Sequence, residues 1–149
     1  MPGSPIFRPG QPSDHAFVSS AWLSSYRTSP WAGGLEHDRY FDAYRAQIHD
    51  ILSRPGVRVV VAADPEPENP SLDIYGYVVA EPERNIIHWV YVKDGLRRKG
   101  LGSSLCYHVG VDLDSPVLCS YWNHTCSVLS KKFSLSYRPQ CSRKATEKP

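Results

Sequence analysis

The apolar run Ile86-Ile87-His88-Trp89-Val90-Tyr91-Val92 leads into Arg97-Arg98-Lys99-Gly100-Leu101-Gly102, and Ser103-Ser104-Leu105-Cys106 follows directly. A strand, a glycine-bearing basic loop and a helix start in that order make a cradle for an anion. Glycines let the backbone approach a ligand with no Cβ in the way, and the first-turn N–H groups of a helix point outward with the helix dipole behind them. Three adjacent cations add long-range attraction for negative charge.

Spacing narrows the kind of cradle. A Walker loop needs two glycines followed by Lys and Ser or Thr, whereas Lys99 precedes its glycine. A dinucleotide fingerprint needs three glycines in Gly-x-Gly-x-x-Gly order, and only Gly100 and Gly102 are present. The remaining pattern, Arg-x-x-Gly-x-Gly after a hydrophobic strand, resembles the acetyl-CoA pyrophosphate loop of the GNAT superfamily of N-acetyltransferases. Upstream, Val90-Tyr91-Val92-Lys93-Asp94-Gly95-Leu96-Arg97 resembles the strand and turn before that loop. Downstream, Asn123-His124-Thr125-Cys126-Ser127-Val128-Leu129-Ser130-Lys131-Lys132 resembles the second block of the family, in which an Asn ends a strand and a helix carries Leu and Lys toward a Gly-Phe turn. The chemistry departs from that block at two points. Ser130 stands where many relatives have a Tyr that protonates the leaving thiolate, and Ser134-Leu135 replaces Gly-Phe. The resemblance spans Val57 to Tyr137.

The chain of 149 residues suits one domain with a core of ordinary size. Its apolar fraction of 41% and net charge of +2 argue against wholesale disorder and against a general nucleic-acid coat. No segment approaches the roughly 20 apolar residues of a membrane span, and Met1-Pro2-Gly3-Ser4-Pro5 lacks the form of a leader, so a cytoplasmic protein is expected. Cys106, Cys119, Cys126 and Cys141 show no Cys-x-x-Cys spacing, which reads as free thiols and gives no metal site. Cys106 and His108, two apart on one helix, cannot face each other as a nucleophile pair. Acidic residues gather from Asp64 to Glu83 and basic ones from Lys131 onward. These runs are either solvated surfaces or, at the basic end, a contact with CoA or a nucleic acid.

Residues 1–12 read as an irregular arm or one short edge strand. Ser13-Asp14 offers a cap for a helix carrying Val18, Trp22 and Tyr26 at i, i+4, i+8, and Phe41, Tyr44, Ile48 and Ile51 mark a second helix ending at Pro55-Gly56. Strands are predicted over Val57–Ala63, Ile74–Ala80 and Asn85–Val92, the last two as a hairpin across Glu81-Pro82-Glu83-Arg84. A helix with Leu101, Leu105 and Val109 inward must then cross over to a parallel strand at Val117–Trp122. A helix over His124–Phe133, a short strand at Leu135–Tyr137 and a polar tail from 138 to 149 complete the chain. This is an α/β order: a mixed, mostly antiparallel sheet with one parallel step, flanked by about four helices. It fits the GNAT fold, in which the central strands splay after the crossover and CoA lies in the gap.

The resemblance implies that main-chain groups of Val90, Tyr91 and Val92 pair with the pantetheine arm of acetyl-CoA. It further implies that Arg97, Arg98, Lys99, Gly100, Leu101, Gly102 and Ser103 hold the pyrophosphate, with Asn123 in the cofactor-binding set. Val90 and Val92 serve equally as core, and Arg98 and Lys99 as solvated cations. Trp22, Tyr26, Arg27 and Trp31 cluster where relatives build the acceptor pocket, or pack as core. Acetyl transfer to an amine needs a base, an oxyanion stabiliser and an acid for the thiolate. His88 is the base candidate: it lies two residues before Val90, so alternation puts both on one face, and its ordinary pKa is near working pH. A hydrogen-bonded strand histidine is the alternative, and Glu81 is a lesser base candidate, otherwise a turn carboxylate. Tyr137 is the surviving acid candidate, and Ser130 can instead hold a water.

The expected activity is transfer of an acetyl group from acetyl-CoA to a primary amine. The chain also resembles compact GNAT-like proteins of phages and prophages, chiefly through Trp22-Leu23-Ser24-Ser25-Tyr26-Arg27 and Ile87-His88-Trp89-Val90-Tyr91-Val92-Lys93. That resemblance implies a modified nucleobase or a protein as acceptor. The alternative is a noncatalytic CoA- or partner-binding module, motivated by Ser130 and by a C-terminus that leaves little chain for a final strand.

Overall fold

Valine- and isoleucine-rich segments form the centre of a six-stranded sheet in the computed structural model, in the order β1 (Ile6–Pro9), β2 (Arg58–Ala63), β3 (Ile74–Glu81), β4 (Ile86–Val92), β5 (Val117–Cys119) and β6 (Leu135–Tyr137). The structure describes residues 5–27, 37–64, 74–93 and 100–139, excepting the side chains of 12–13, 24–27, 37–41 and 43. The first four strands run antiparallel, whereas β4–β5 and β5–β6 are parallel pairs. Four α-helices flank the sheet among the described residues: α1 (Pro12–Arg27), α2 (His37–Leu52), α3 (Leu101–Val109) and α4 (His124–Leu129). None of the described helices is long and apolar enough to cross a membrane.

The mixed α/β architecture is the one the sequence pattern implies, with shifts at element ends. Residues 6–9 form an edge strand rather than an irregular arm. α1 begins at Pro12, a position where the missing N–H costs nothing. Asp14 is therefore inside the first turn, where its carboxylate accepts from the Gln11 N–H at 2.8 Å and from Arg8 Nη1 at 2.6 Å. The guanidinium beside it holds the Asp14 carboxyl below the usual range. The β3–β4 connection is a single 3-10 turn, Pro82–Arg84, closed by Asn85 at φ 53°, a left-handed conformation that Asn tolerates. β5 stops at Cys119 and α4 at Leu129, both shorter than predicted.

Alternation along the strands divides the core into two layers. Val61, Tyr77, Val79 and Trp89 face α1 and α2, where Trp22 stacks on Trp89 with centroids 5.7 Å apart and meets Tyr121 edge-on at 5.0 Å. Val78, Ala80, Val90 and Val92 face α3 and α4 with Leu105, Cys106 and Leu129. Burial pushes the Cys106 thiol up to about 12, so it packs as a neutral group.

The alternation breaks once in β4. Val79 pairs with Trp89 but Ala80 pairs with Ile87, which leaves His88 without a partner residue on β3, a β-bulge. The bulge changes the phase of the strand. Before it, Asn85 O and Ile87 O accept from Leu118 N and Ser120 N of the β5 side. After it, Lys93 N donates to Tyr75 O at 2.9 Å, so residues 93, 91 and 89 bond to β3 and the main-chain groups of Val90 and Val92 turn away from β3.

Candidate functional site

The same turn coincides with the end of the β4–β5 ladder. Ser120 N to Ile87 O, 3.1 Å, is the last main-chain bond between them among the described residues; beyond it the strands part and the Asn123 side chain spans the gap, donating from Nδ2 to Val90 O at 2.6 Å. Asn123 also caps α4, its Oδ1 accepting from Cys126 N at 3.0 Å. One amide thus fixes both the start of the helix and its distance from β4.

Beyond this fork lies a cavity of about 320 Å³ between the end of β4, the start of α3 and the length of α4. Val92, Leu129 and Phe133 give it apolar walls, while Gly100, Gly102 and Ser103 bring the α3 N-terminus to one side and Lys132 adds a cation. First-turn N–H groups of a nine-residue helix have no carbonyl one turn back to bond, so that side favours an anion. Gly100 enters the helix at φ 74°, a left-handed value that glycine adopts freely and that strains most other residues. At Gly102 a Cβ would stand 3.1 Å from Thr125 Cγ2, so this glycine lets α3 and α4 close on each other. A larger, shallower groove outside α1 and α2, lined by His15, Asp42, Arg45 and His49, contains none of the residues singled out in the sequence.

The sequence candidates distribute unevenly around this geometry. Val92, Gly100, Leu101, Gly102 and Ser103 line the cavity, Val90 meets Asn123 at its inner end, and Tyr91 turns to the opposite face, 5.6 Å from the Tyr77 ring. Arg97, Arg98, Lys99 and Trp31, and the side chains of Tyr26 and Arg27, lie outside the described residues. Trp22 is fully buried in the aromatic stack. Ser130 is exposed at the end of α4, its hydroxyl donating to Ser127 O at 2.8 Å. Tyr137 sits on β6, two strands from β4, with its ring 6.2 Å from Trp122. Neither Ser130 nor Tyr137 lines the cavity. His124 and Thr125 do line it. The signal for them was their place just after the helix-capping Asn, where the first turn of α4 must face the gap.

His88 does not share the face of Val90, because the bulge cancels the two-residue alternation. Its ring is fully buried, with Nε2 2.8 Å from Glu81 Oε1 and Nδ1 2.7 Å from Ser120 Oγ. Glu81 also accepts from Arg84 Nη1 at 3.0 Å and Arg54 Nη1 at 3.5 Å. The His88 bond, and after it Arg84, hold the Glu81 carboxyl down to about 2 against the opposing effect of burial. Burial lowers the His88 pKa and outweighs the pull of Glu81. An ionised Glu81 only accepts, so Nε2 carries a proton; with its pKa lowered by burial the ring is neutral at pH 7, and Nδ1 then accepts from the Ser120 hydroxyl.

No protein-family model matches the chain, and no curated protein sequence does. Among solved structures, it is similar to the histone acetyltransferase HPA2 and related acetyltransferase from Corynebacterium glutamicum, at 19% identity over 70% of this chain and 69% of that one, TM-score 0.49. It is similar to Arabidopsis thaliana NAA60 in complex with a bisubstrate analogue, at 18% identity over 78% and 70%, TM-score 0.49. A putative acetyltransferase of the GNAT family from Desulfovibrio desulfuricans matches at 20% identity over 71% of this chain, TM-score 0.44, and there the chain spans 64% of the other protein's length.

Proposed function

We propose that the protein is a GNAT-type acyltransferase that moves an acetyl group from acetyl-CoA to a primary amine. The observation that carries this reading is the fork between β4 and β5, opening onto a cavity with a glycine-entered helix N-terminus on one side. An elongated cosubstrate with an apolar arm and an anionic end suits that cavity: the arm against Val92 and Leu129, the anion toward α3 and Lys132. The motifs quoted above supply the identity of the cosubstrate. In the reaction the amine nitrogen attacks the thioester carbonyl carbon, the C–S bond breaks, the nitrogen loses a proton and the thiolate gains one. The acceptor is read as a small amine, a protein or an amino-modified nucleobase.

The candidate proton carriers do not converge on the cavity. His88 is sealed with both ring nitrogens engaged, so it would take a substrate proton only by way of Ser120. The Ser130 hydroxyl is spent on the helix, and Tyr137 stands off the cavity. These three observations favour a second reading, a CoA-binding module without turnover.

Calorimetry with acetyl-CoA tests what the two readings share. Micromolar binding, about 8 kcal/mol, is expected. No heat at millimolar CoA defeats both. Thiol release from acetyl-CoA across polyamines, aminoglycosides, peptides and amino-modified DNA then separates them: release with one class supports the enzyme, and binding without release throughout supports the module.

A further inference from the structure

We infer that Glu81, His88 and Ser120 form a polar pin that fixes the β4 bulge and thereby the place where β4 and β5 part, which makes His88 and Ser120 positioning residues for the cleft. His88 is itself the bulged residue. From that one position its ring reaches Glu81 at the end of β3 and Ser120 just past β5, tying three strands together. Ser120 is also the residue whose N–H makes the last bond to Ile87 O before the ladder opens. The pin and the fork therefore share Ser120, and on β4 the pin residue His88 directly follows Ile87, the last acceptor of the ladder.

The chemistry of the pin favours one geometry. Glu81 is anchored by Arg84 and Arg54, so its Oε1 is a fixed acceptor for the Nε2 proton, and the lone pair left on Nδ1 demands a donor. Ser120 Oγ supplies it at 2.7 Å. Glu81, His88 and Ser120 are all buried, so a slip of β4 by one residue would strand a histidine and a carboxylate without partners. Such a slip would also return the Val90 and Val92 main-chain groups to β3 and undo the contact from Asn123 Nδ2 to Val90 O. A network with this consequence for β4 register does more than fill the core.

That acetyl-CoA is the ligand of the cleft rests on the proposed function; the pin itself does not. Ser120→Ala removes the donor to Nδ1 and Ser120→Thr restores it. With folded Ser120→Ala protein, the expected results are a shift of the Val92 amide and Asn123 side-chain amide resonances and a loss of acetyl-CoA affinity of about tenfold or more, as for a displaced binding group. Ser120→Thr should reverse both. Unmoved resonances, wild-type affinity or a Thr variant that behaves like Ala each overturn the inference. Should Ser120→Ala not fold, His88→Gln takes its place, since it can keep the Glu81 bond while dropping the Nδ1 contact. If wild-type protein does not bind acetyl-CoA at all, the proposed function fails and the resonances alone decide the pin.

Discussion

Asn123 offers the most informative perturbation, because one side chain makes two bonds that can be removed separately. Its Oδ1 caps α4 through Cys126 N, and its Nδ2 spans the fork to Val90 O. Loss of a helix cap costs about 1 kcal/mol, and loss of a hydrogen bond to a largely buried carbonyl costs about as much again. Asn123→Ala should therefore lose about 2 kcal/mol. At about 4 °C per kcal/mol for a chain of this length, the melting temperature should fall by about 8 °C. Asn123→Asp keeps an acceptor for the Cys126 N–H and places negative charge at a helix start, yet turns an oxygen instead of an N–H toward Val90 O. It should lose about 1 kcal/mol, all from the fork. Urea unfolding reads both variants, provided that the slope m is unchanged. An Asp variant as stable as wild type would show that the bond across the fork contributes nothing. An Ala variant no worse than Asp would remove the cap from the account.

The His88 network makes stability fall with acid. Glu81, held down to about 2, contributes stability that is present above the ordinary carboxylate value and lost as pH falls toward about 2. His88 is lowered by burial, so below about 6.5 the unfolded chain binds a proton that the folded chain does not, and stability declines there as well. Urea midpoints from pH 7.5 to 5 should fall in wild type and flatten in His88→Gln; parallel profiles would mean that other groups dominate that window. The two glycines of the α3 entry should behave differently under the same measurement. Gly100→Ala strains a left-handed residue with nothing within 4 Å of the new Cβ and should lose about 1 kcal/mol. Gly102→Ala gains helix propensity of up to about 1 kcal/mol that crowding against Thr125 offsets, leaving stability nearly unchanged, and a clearly stabilised variant would show the α3–α4 contact to be slack.

Much of this fold is legible in the sequence because its strands are strongly apolar and its turns are strongly marked. β2, β3 and β4 fall within a residue or so of the valine-rich runs, and the Gly100-to-Ser103 helix entry follows from glycine and spacing. The parts that escaped are those set by tertiary context. β5 ends at Cys119 because β4 departs from it, although Ser120-Tyr121-Trp122 continues the apolar and aromatic pattern. Trp22 looked equally suited to a pocket and to core, and Trp89 and Tyr121 together claim it for core. Tyr137 was near Ser130 in sequence, but β6 lies on the far side of β5 from β4. Gly76 carried no signal at all, yet a Cβ there would stand 2.5 Å from Tyr91 O, so only glycine lets β3 lie against β4 as it does.

The bulge explains why the site was the harder half. Period-two reasoning assumes a continuous ladder, and a single extra residue reverses every assignment beyond it. Uninterrupted alternation puts His88 on the face of Val90, and the bulge moves it to the other. Yet the composition of the fork has a logic that alternation does not express. Where a parallel ladder stops inside a sheet, the main-chain groups left behind must find partners, since each buried and unpaired group costs about 1–3 kcal/mol. Side chains can stand in for the missing strand. Asn123 does so for Val90 O, while His88 and Ser120 hold the point from which the strands diverge. Polar residues set among apolar ones at His88, Ser120 and Asn123 thus mark the line along which the sheet opens. A histidine in an otherwise greasy strand is then evidence about where a ladder ends, before it is evidence about a catalytic base.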